Sequence, residues 1–290
     1  MLVASRCRRR NDVREGGEAL ITLLGVPWDA SSSFERGAAE APPCIRAALA
    51  SPSSNSYNEG GDDVSSPALV TDGGDLALPP DPAAARQAIE TGVRRVVDSG
   101  SKPLVLGGDH SITYPILRAF RDRGPLAILH FDSHGDLYDH YEGDRYSHAC
   151  PFARVMEEGL ATRLIQVGLR TLTPHQREQS KKFGTEIFAA DRWRAAVPVV
   201  SAVTGAVYVS LDLDVLEPML APGIAHPEPG GLSIRDVLEV LFAVRADVIG
   251  ADIVEYNPRF DIRDLTGRVA AKFVKELVGV MQRTANGEQR

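Results

Sequence analysis

The segment LAILHFDSHGD, Leu126–Asp136, changes character at one point: an apolar run gives way to alternating carboxylates around an imidazole. A short, near-continuous apolar run suits a strand buried on both faces, as in a parallel sheet covered by helices. The same reading applies to ITLLGVP (Ile21–Pro27), KPLVLGG (Lys102–Gly108), RLIQVGL (Arg163–Leu169), VYVSLDLD (Val207–Asp214) and DVIGADIVE (Asp247–Glu255). Helical patterns separate them. Ala83–Asp98 carries Ile89 and Val93 at helical spacing, and Asp264–Arg283 aligns Val269, Phe273, Leu277 and Met281 on one stripe. Ser233 is placed to cap a helix running through Ala243, with Asp236 as its capping-box partner. Alternating strands and helices predict a three-layer α/β/α sandwich with a mainly parallel sheet. Ser51–Asp63, rich in Ser, Asn, Gly and Asp, reads as a surface loop. No repeat or mid-chain break in composition appears, so residues 19–290 are expected to form a single domain after a flexible tail, 1–18.

The whole-chain balance narrows the class. The 290 residues are 43% hydrophobic and 24% charged, enough for a sizeable core. A net charge of −7 argues against a nucleic-acid surface. No apolar run reaches the roughly 18 residues of a membrane span. Cys7, Cys44 and Cys150 form no CxxC pair or disulfide framework, which points to a reducing compartment, most simply the cytoplasm. The basic opening lacks the apolar stretch of a secretory signal, although a transit peptide is an alternative.

The chemistry concentrates where strands end. In a parallel sheet all carboxyl-terminal strand ends open on one edge, where ligand sites form. His110 follows one strand; Asp132, His134 and Asp136 follow another; Asp212 and Asp214 close a third; Glu255 closes a fourth. If DSHGD stays extended, Asp132, His134 and Asp136 share a side. Unpaired carboxylates crowded at the end of an apolar strand are costly, and bound cations remove that cost. Alone, DSHGD could equally be a solvated turn, SLDLD an exposed strand end, and His110 a structural histidine. Together they exceed what one ion needs. An oxygen-rich, nitrogen-containing, cysteine-free donor set suits manganese, with iron, cobalt or nickel as less favoured alternatives.

These segments resemble a known family. GGDHS (Gly107–Ser111), DSHGD (Asp132–Asp136) and SLDLDVLEPMLAPG (Ser210–Gly223) are similar to the metal-site signatures of the ureohydrolases, which include arginases and agmatinases. GVPWDASSSFERGAAEAPPCIRAAL (Gly25–Leu49), TDGGD (Thr71–Asp75) and GADIVEYNP (Gly250–Pro258) fit as well, so the resemblance spans most of the chain. It implies the arginase/deacetylase-like fold and two Mn2+ per chain. One ion would be held by His110, Asp132, Asp136 and Asp212, the other by Asp132, His134, Asp212 and Asp214. It also implies catalytic roles for His148, Glu255 and Asp136. Glu255 would grip a guanidinium, and His148, otherwise readable as a surface histidine, would bind substrate and help protonate the departing amine. Urea leaves after hydroxide attack on the guanidinium carbon. The partner is thus a small guanidino substrate, with a homotrimer or homohexamer as the assembly. Two departures stand out: the family usually has Ala at Ser133 and Asp at Glu217, which leaves the hydrogen bonding of Ser133 beside the ligands and the turn at Glu217 in question.

Substrate identity divides the readings. GLRTLTPHQ (Gly168–Gln176) lacks the acid that animal-type arginases carry after the arginine, which leans towards agmatine. Against that, YEGDRYSHACPFARVMEEG and REQSKKFG resemble plant arginases, which act on arginine; other guanidino acids and guanidine stay open. A single-zinc amide hydrolase of the deacetylase kind and a non-catalytic partner subunit are the readings from other classes.

Overall fold

The computed structural model describes residues 20–285. The tail read at 1–18 lies outside them.

All the apolar runs are strands. In chain order they are β1 (Ile21–Gly25), β2 (Val70–Asp75), β3 (Lys102–Leu106), β4 (Leu126–Phe131), β5 (Arg163–Leu169), β6 (Glu186–Ala189), β7 (Ala206–Asp212) and β8 (Asp247–Val254). They form one sheet in the order β2-β1-β3-β8-β7-β4-β5-β6. Every neighbouring pair in it is parallel. The two strands missing from the sequence reading are the edges. β2 is Val-Thr-Asp-Gly-Gly-Asp, almost wholly exposed, and β6 is a half-buried four-residue strand. An edge strand is covered on fewer sides, so neither carries the continuous apolar run that marks the centre.

The helices are α1 (Ala41–Leu49), α2 (Pro82–Asp98), α3 (Thr113–Arg118), α4 (Pro151–Glu157), α5 (Pro174–Phe183), α6 (Ala196–Ser201), α7 (Ile234–Phe242) and α8 (Leu265–Ala285). They cover both faces. One core packs Ile45 of α1, Val237 of α7 and Phe273 and Leu277 of α8 against the sheet. The other packs Ile89 and Val93 of α2, Ile116 of α3 and Phe152 of α4 on the opposite side. The stripe on α8 is therefore core, as its period required. The capping box at α7 is present: Ser233 Oγ accepts from Asp236 N, and Asp236 returns a carboxylate oxygen to Ser233 N.

Two strand ends stop earlier than the sequence pattern implied. β7 ends at Asp212, and Leu213–Val215 winds into a 3-10 turn with Asp212 Oδ1 accepting from Asp214 N at 2.8 Å. β4 ends at Phe131, and Asp136 adopts a left-handed backbone, φ 48°. The extended premise for DSHGD thus fails, because an alternating polar pattern is the same whether the chain runs on or turns.

Candidate active site

β3, β8, β7 and β4 are consecutive across the middle of the sheet, so their carboxyl ends meet in one place. The loop after β3 brings His110, β8 delivers Glu255, β7 delivers Asp212 and Asp214, and β4 delivers Asp132, His134 and Asp136. Close backbone approach makes this geometry available. A Cβ at Gly108 would lie 1.8 Å from the Trp28 carbonyl oxygen, so only glycine lets these two segments cross beside His110.

His110 Nδ1 sits 3.2 Å from Asp132 Oδ2, 3.0 Å from Asp136 Oδ2 and 3.1 Å from Asp212 Oδ2. The imidazole is fully buried, yet this nitrogen makes no hydrogen bond of acceptable geometry. A buried nitrogen surrounded by carboxylate oxygens but bonded to none has the donor arrangement of a cation site. A second cluster lies beside it. His134 Nδ1 is 2.8 Å from Asp214 Oδ2 and 3.5 Å from Asp132 Oδ1. Asp132, His134 and Asp214 are close enough to share an ion. Burial, Asp214 and Asp132 push the Asp212 carboxyl well above its ordinary range, and burial with Asp132 raises Asp214 too. Such a crowd ionises together only when positive charge joins it. The turn at residues 132–136, rather than an extended segment, lets Asp132 and Asp136 converge on His110 while His134 faces Asp214.

Around these groups stand residues that the sequence did not single out. His130 Nε2 lies 2.8 Å from Asp132 Oδ2, and Gln166 Nε2 lies 3.0 Å from His130 Nδ1 while donating to the Gly135 carbonyl at 2.7 Å. His130, His110 and Asp132 also cluster closely enough to suggest a metal triad. With its other ring nitrogen held by Gln166, His130 is also placed to orient the Asp132 carboxylate. On the far side of His110, Nε2 lies 3.0 Å from Ser210 Oγ, which donates to Asp252 Oδ1 at 2.7 Å. Asp252 is held by Tyr208 and Thr113 hydroxyls through its other oxygen.

Glu255 is 6% exposed and strained into a left-handed backbone, φ 62°. Non-glycine residues persist there only when the surroundings over-determine them, as at functional sites. Its Oε1 accepts from His110 N at 2.8 Å and lies 2.9 Å from His148 Nδ1. His148, far from a surface residue, is 9% exposed and reaches Ser33 Oγ through Nε2 at 2.8 Å. Burial opposes charge on this imidazole, but Glu255 more than offsets it and holds the pKa up to about 9. Burial likewise opposes ionisation of Glu255, and His148 with the His110 amide outweighs it, leaving that carboxyl below its usual range. Both residues line one open pocket with Asp136, Asp212, Asp214 and His134.

Residues 19–279 match the family model described as the Arginase family. The chain belongs to the Arginase family. This ureohydrolase is 46% identical to Arginase 1, mitochondrial, of Arabidopsis thaliana, over 90% of its own length and 81% of that protein. It is 34% identical to guanidinopropionase of Pseudomonas aeruginosa, over 91% of its length and 87% of the relative's. Among solved structures, the arginase from Medicago truncatula superposes with a TM-score of 0.86 at 44% identity, covering 92% of this chain and 88% of that one. The ureohydrolase is thus a hydrolase of the class that acts on guanidino compounds, with the arginase-like α/β fold.

The departures from the family pattern have local explanations in this ureohydrolase. Ser133 brings Oγ within 2.9 Å of His134 Nδ1, and its amide donates to Asp214 Oδ1. Glu217 uses its longer arm to accept from Gly230 N at 2.8 Å and Gly231 N at 2.9 Å, so the turn in question is closed by the carboxylate. His226 was also missed; its ring lies 5.1 Å from that of His148 and 6.1 Å from that of His134, and burial with the His148 charge lowers its pKa. Among the described residues no helix is long and apolar enough to cross a membrane. Cys44 and Cys150 are free.

Proposed function

We propose that this ureohydrolase converts arginine to ornithine and urea with two Mn2+ per chain. The observation that carries the choice of arginine over agmatine is the 46% identity to a plant arginase across 90% of the chain. The opposing signal is the missing acid after Arg170, where the segment brings Thr171 and Gln176 to the pocket instead.

We assign one ion to His110, Asp132, Asp136 and Asp212 and the other to Asp132, His134, Asp212 and Asp214; cobalt or nickel suits the same donors. When bound, such a pair lowers the pKa of a shared water and makes hydroxide available near neutral pH. The remaining work falls to side chains. Glu255 offers a carboxylate fixed by the His110 amide, suited to pairing with a planar guanidinium. With its pKa at about 9, His148 keeps its proton at neutral pH. A guanidinium arriving at Glu255 adds positive charge beside His148 and favours release of that proton to the departing amine. Asp136, 3.0 Å from the buried His110 Nδ1, lines the same pocket as Glu255 and His148.

A homotrimer or homohexamer is the assembly we expect, to be read by light scattering. We assign the chain to a reducing compartment, for which fractionation of the native source separates cytoplasm from an organelle matrix. The central test is urea release by the manganese-loaded chain from arginine and from agmatine, with metal counted per chain. About two ions and a preference for arginine are expected. One tight zinc with amide cleavage and no urea would sink the proposal.

A further inference from the structure

The pocket above the proposed ion sites is lined by carboxylates, histidines and tyrosines among other residues, with neither Lys nor Arg. Most of its acids have work of their own. Asp136, Asp212 and Asp214 face the histidines of the proposed ion sites, and Glu255 pairs with His148. Glu228 is the remaining acid on the wall, and its carboxylate makes no hydrogen bond or ion pair with another described residue.

The backbone of Glu228, in contrast, is tightly held. Its carbonyl oxygen accepts from Arg170 Nε at 3.0 Å and Nη2 at 2.6 Å. The same guanidinium donates to the Asp214 carbonyl at 2.7 Å and the Val215 carbonyl at 3.3 Å. Arg170 thereby locks the segment carrying Glu228 to the turn carrying Asp214. Beside the pocket, Asp139 pairs with His140 and His175, and Tyr138 donates to Thr173.

We propose that Glu228 receives a cationic amine at the far end of the substrate, so that the site selects guanidino compounds with a positively charged tail and disfavours those ending in a carboxylate alone. The inference rests on the reading of the site as a guanidino hydrolase. Opposite-charge pairing of this kind discriminates, because a carboxylate tail would face the half-buried Glu228 with no Lys or Arg on the wall and with the His148 charge already paired to Glu255.

The test compares urea release by the full manganese-loaded chain from arginine, agmatine, 4-guanidinobutyrate and butylguanidine, for the native protein and for Glu228→Gln and Glu228→Asp. Glu228→Gln is expected to raise KM for arginine and agmatine about tenfold, leave kcat within about twofold, and leave butylguanidine unchanged. Glu228→Asp should recover part of the loss. A direct readout is calorimetric binding of ornithine, expected to weaken by a similar factor in Glu228→Gln. Equal effects on cationic and neutral tails, or none, would overturn the assignment. Native turnover fastest on 4-guanidinobutyrate would overturn it too, while leaving the hydrolase reading intact. Absence of urea from all four compounds would remove the underlying reading as well.

Discussion

Ser210→Ala isolates the contribution of a single hydroxyl to the proposed metal centre. Ser210 is fully buried on β7, between His130 of β4 and Asp252 of β8 in the sheet register. The substitution removes the 3.0 Å contact to His110 Nε2 and the 2.7 Å hydrogen bond to Asp252, and no water can replace either without a cavity. A hydrogen bond to a charged group contributes about 1.5–3 kcal/mol, and a buried polar atom left without a partner costs about 1–3 kcal/mol. The apo chain should lose roughly 2–4 kcal/mol in urea unfolding on that basis. Freed from its outer anchor, the His110 ring can rotate, and manganese affinity should fall about 10–100-fold, or about 1.4–2.7 kcal/mol. Thr113→Val is the matched control. It removes a different donor to Asp252, at 2.9 Å, without touching the imidazole. It should destabilise the fold but leave metal affinity within about threefold. Competition with a fluorescent chelator measures the affinity. If both substitutions shift it equally, or Ser210→Ala leaves it unchanged, the hydroxyl does not orient His110 and the reasoning fails.

Three further outcomes follow from the same structure. Gly108→Ala should lower stability by about 3 kcal/mol or more, because the added methyl meets backbone, the Trp28 carbonyl, at 1.8 Å; an unchanged denaturation midpoint would show that the crossing relaxes freely. Phe273→Ala, at a fully buried position on α8, should cost about 3–5 kcal/mol by the same measurement, and a cost under about 1 kcal/mol would contradict the packing described. Glu59 accepts from Arg235 and Lys272, and those bonds draw its carboxyl down to about 2 from an ordinary 4.5. Because the folded pKa is depressed, the stabilisation is present above about 4.5 and is lost as pH falls towards about 2. Glu59→Gln should therefore flatten part of the acid-side decline in melting temperature, and an identical decline in both proteins would refute this.

The central strands were legible because burial on both faces leaves a continuous apolar signature, and helices such as α7 and α8 because caps and period are local. The edges were not. Val70–Asp75 is polar where the sheet meets solvent, so its membership depends on β1 beside it. Within the site, residues adjacent to strand ends could be named from the chain, whereas their orienting partners could not. Gln166 reaches His130 from β5, and Asp252 reaches Ser210 from β8. His148 gave no local sign of burial because Glu255, 107 residues away, supplies its charge partner.

The order of residues alone thus determined which donors arrive at the sheet's carboxyl edge, since strand identity and polar strand ends are properties of short segments. Only the tertiary structure decided how they meet. The turn at Asp136, the crossing of Gly108 over Trp28, and the Arg170 tie between Asp214 and Glu228 all depend on segments distant in the chain being held together by the packed sheet. Their geometry follows from steric contact and hydrogen bonding across that distance, which no local pattern encodes.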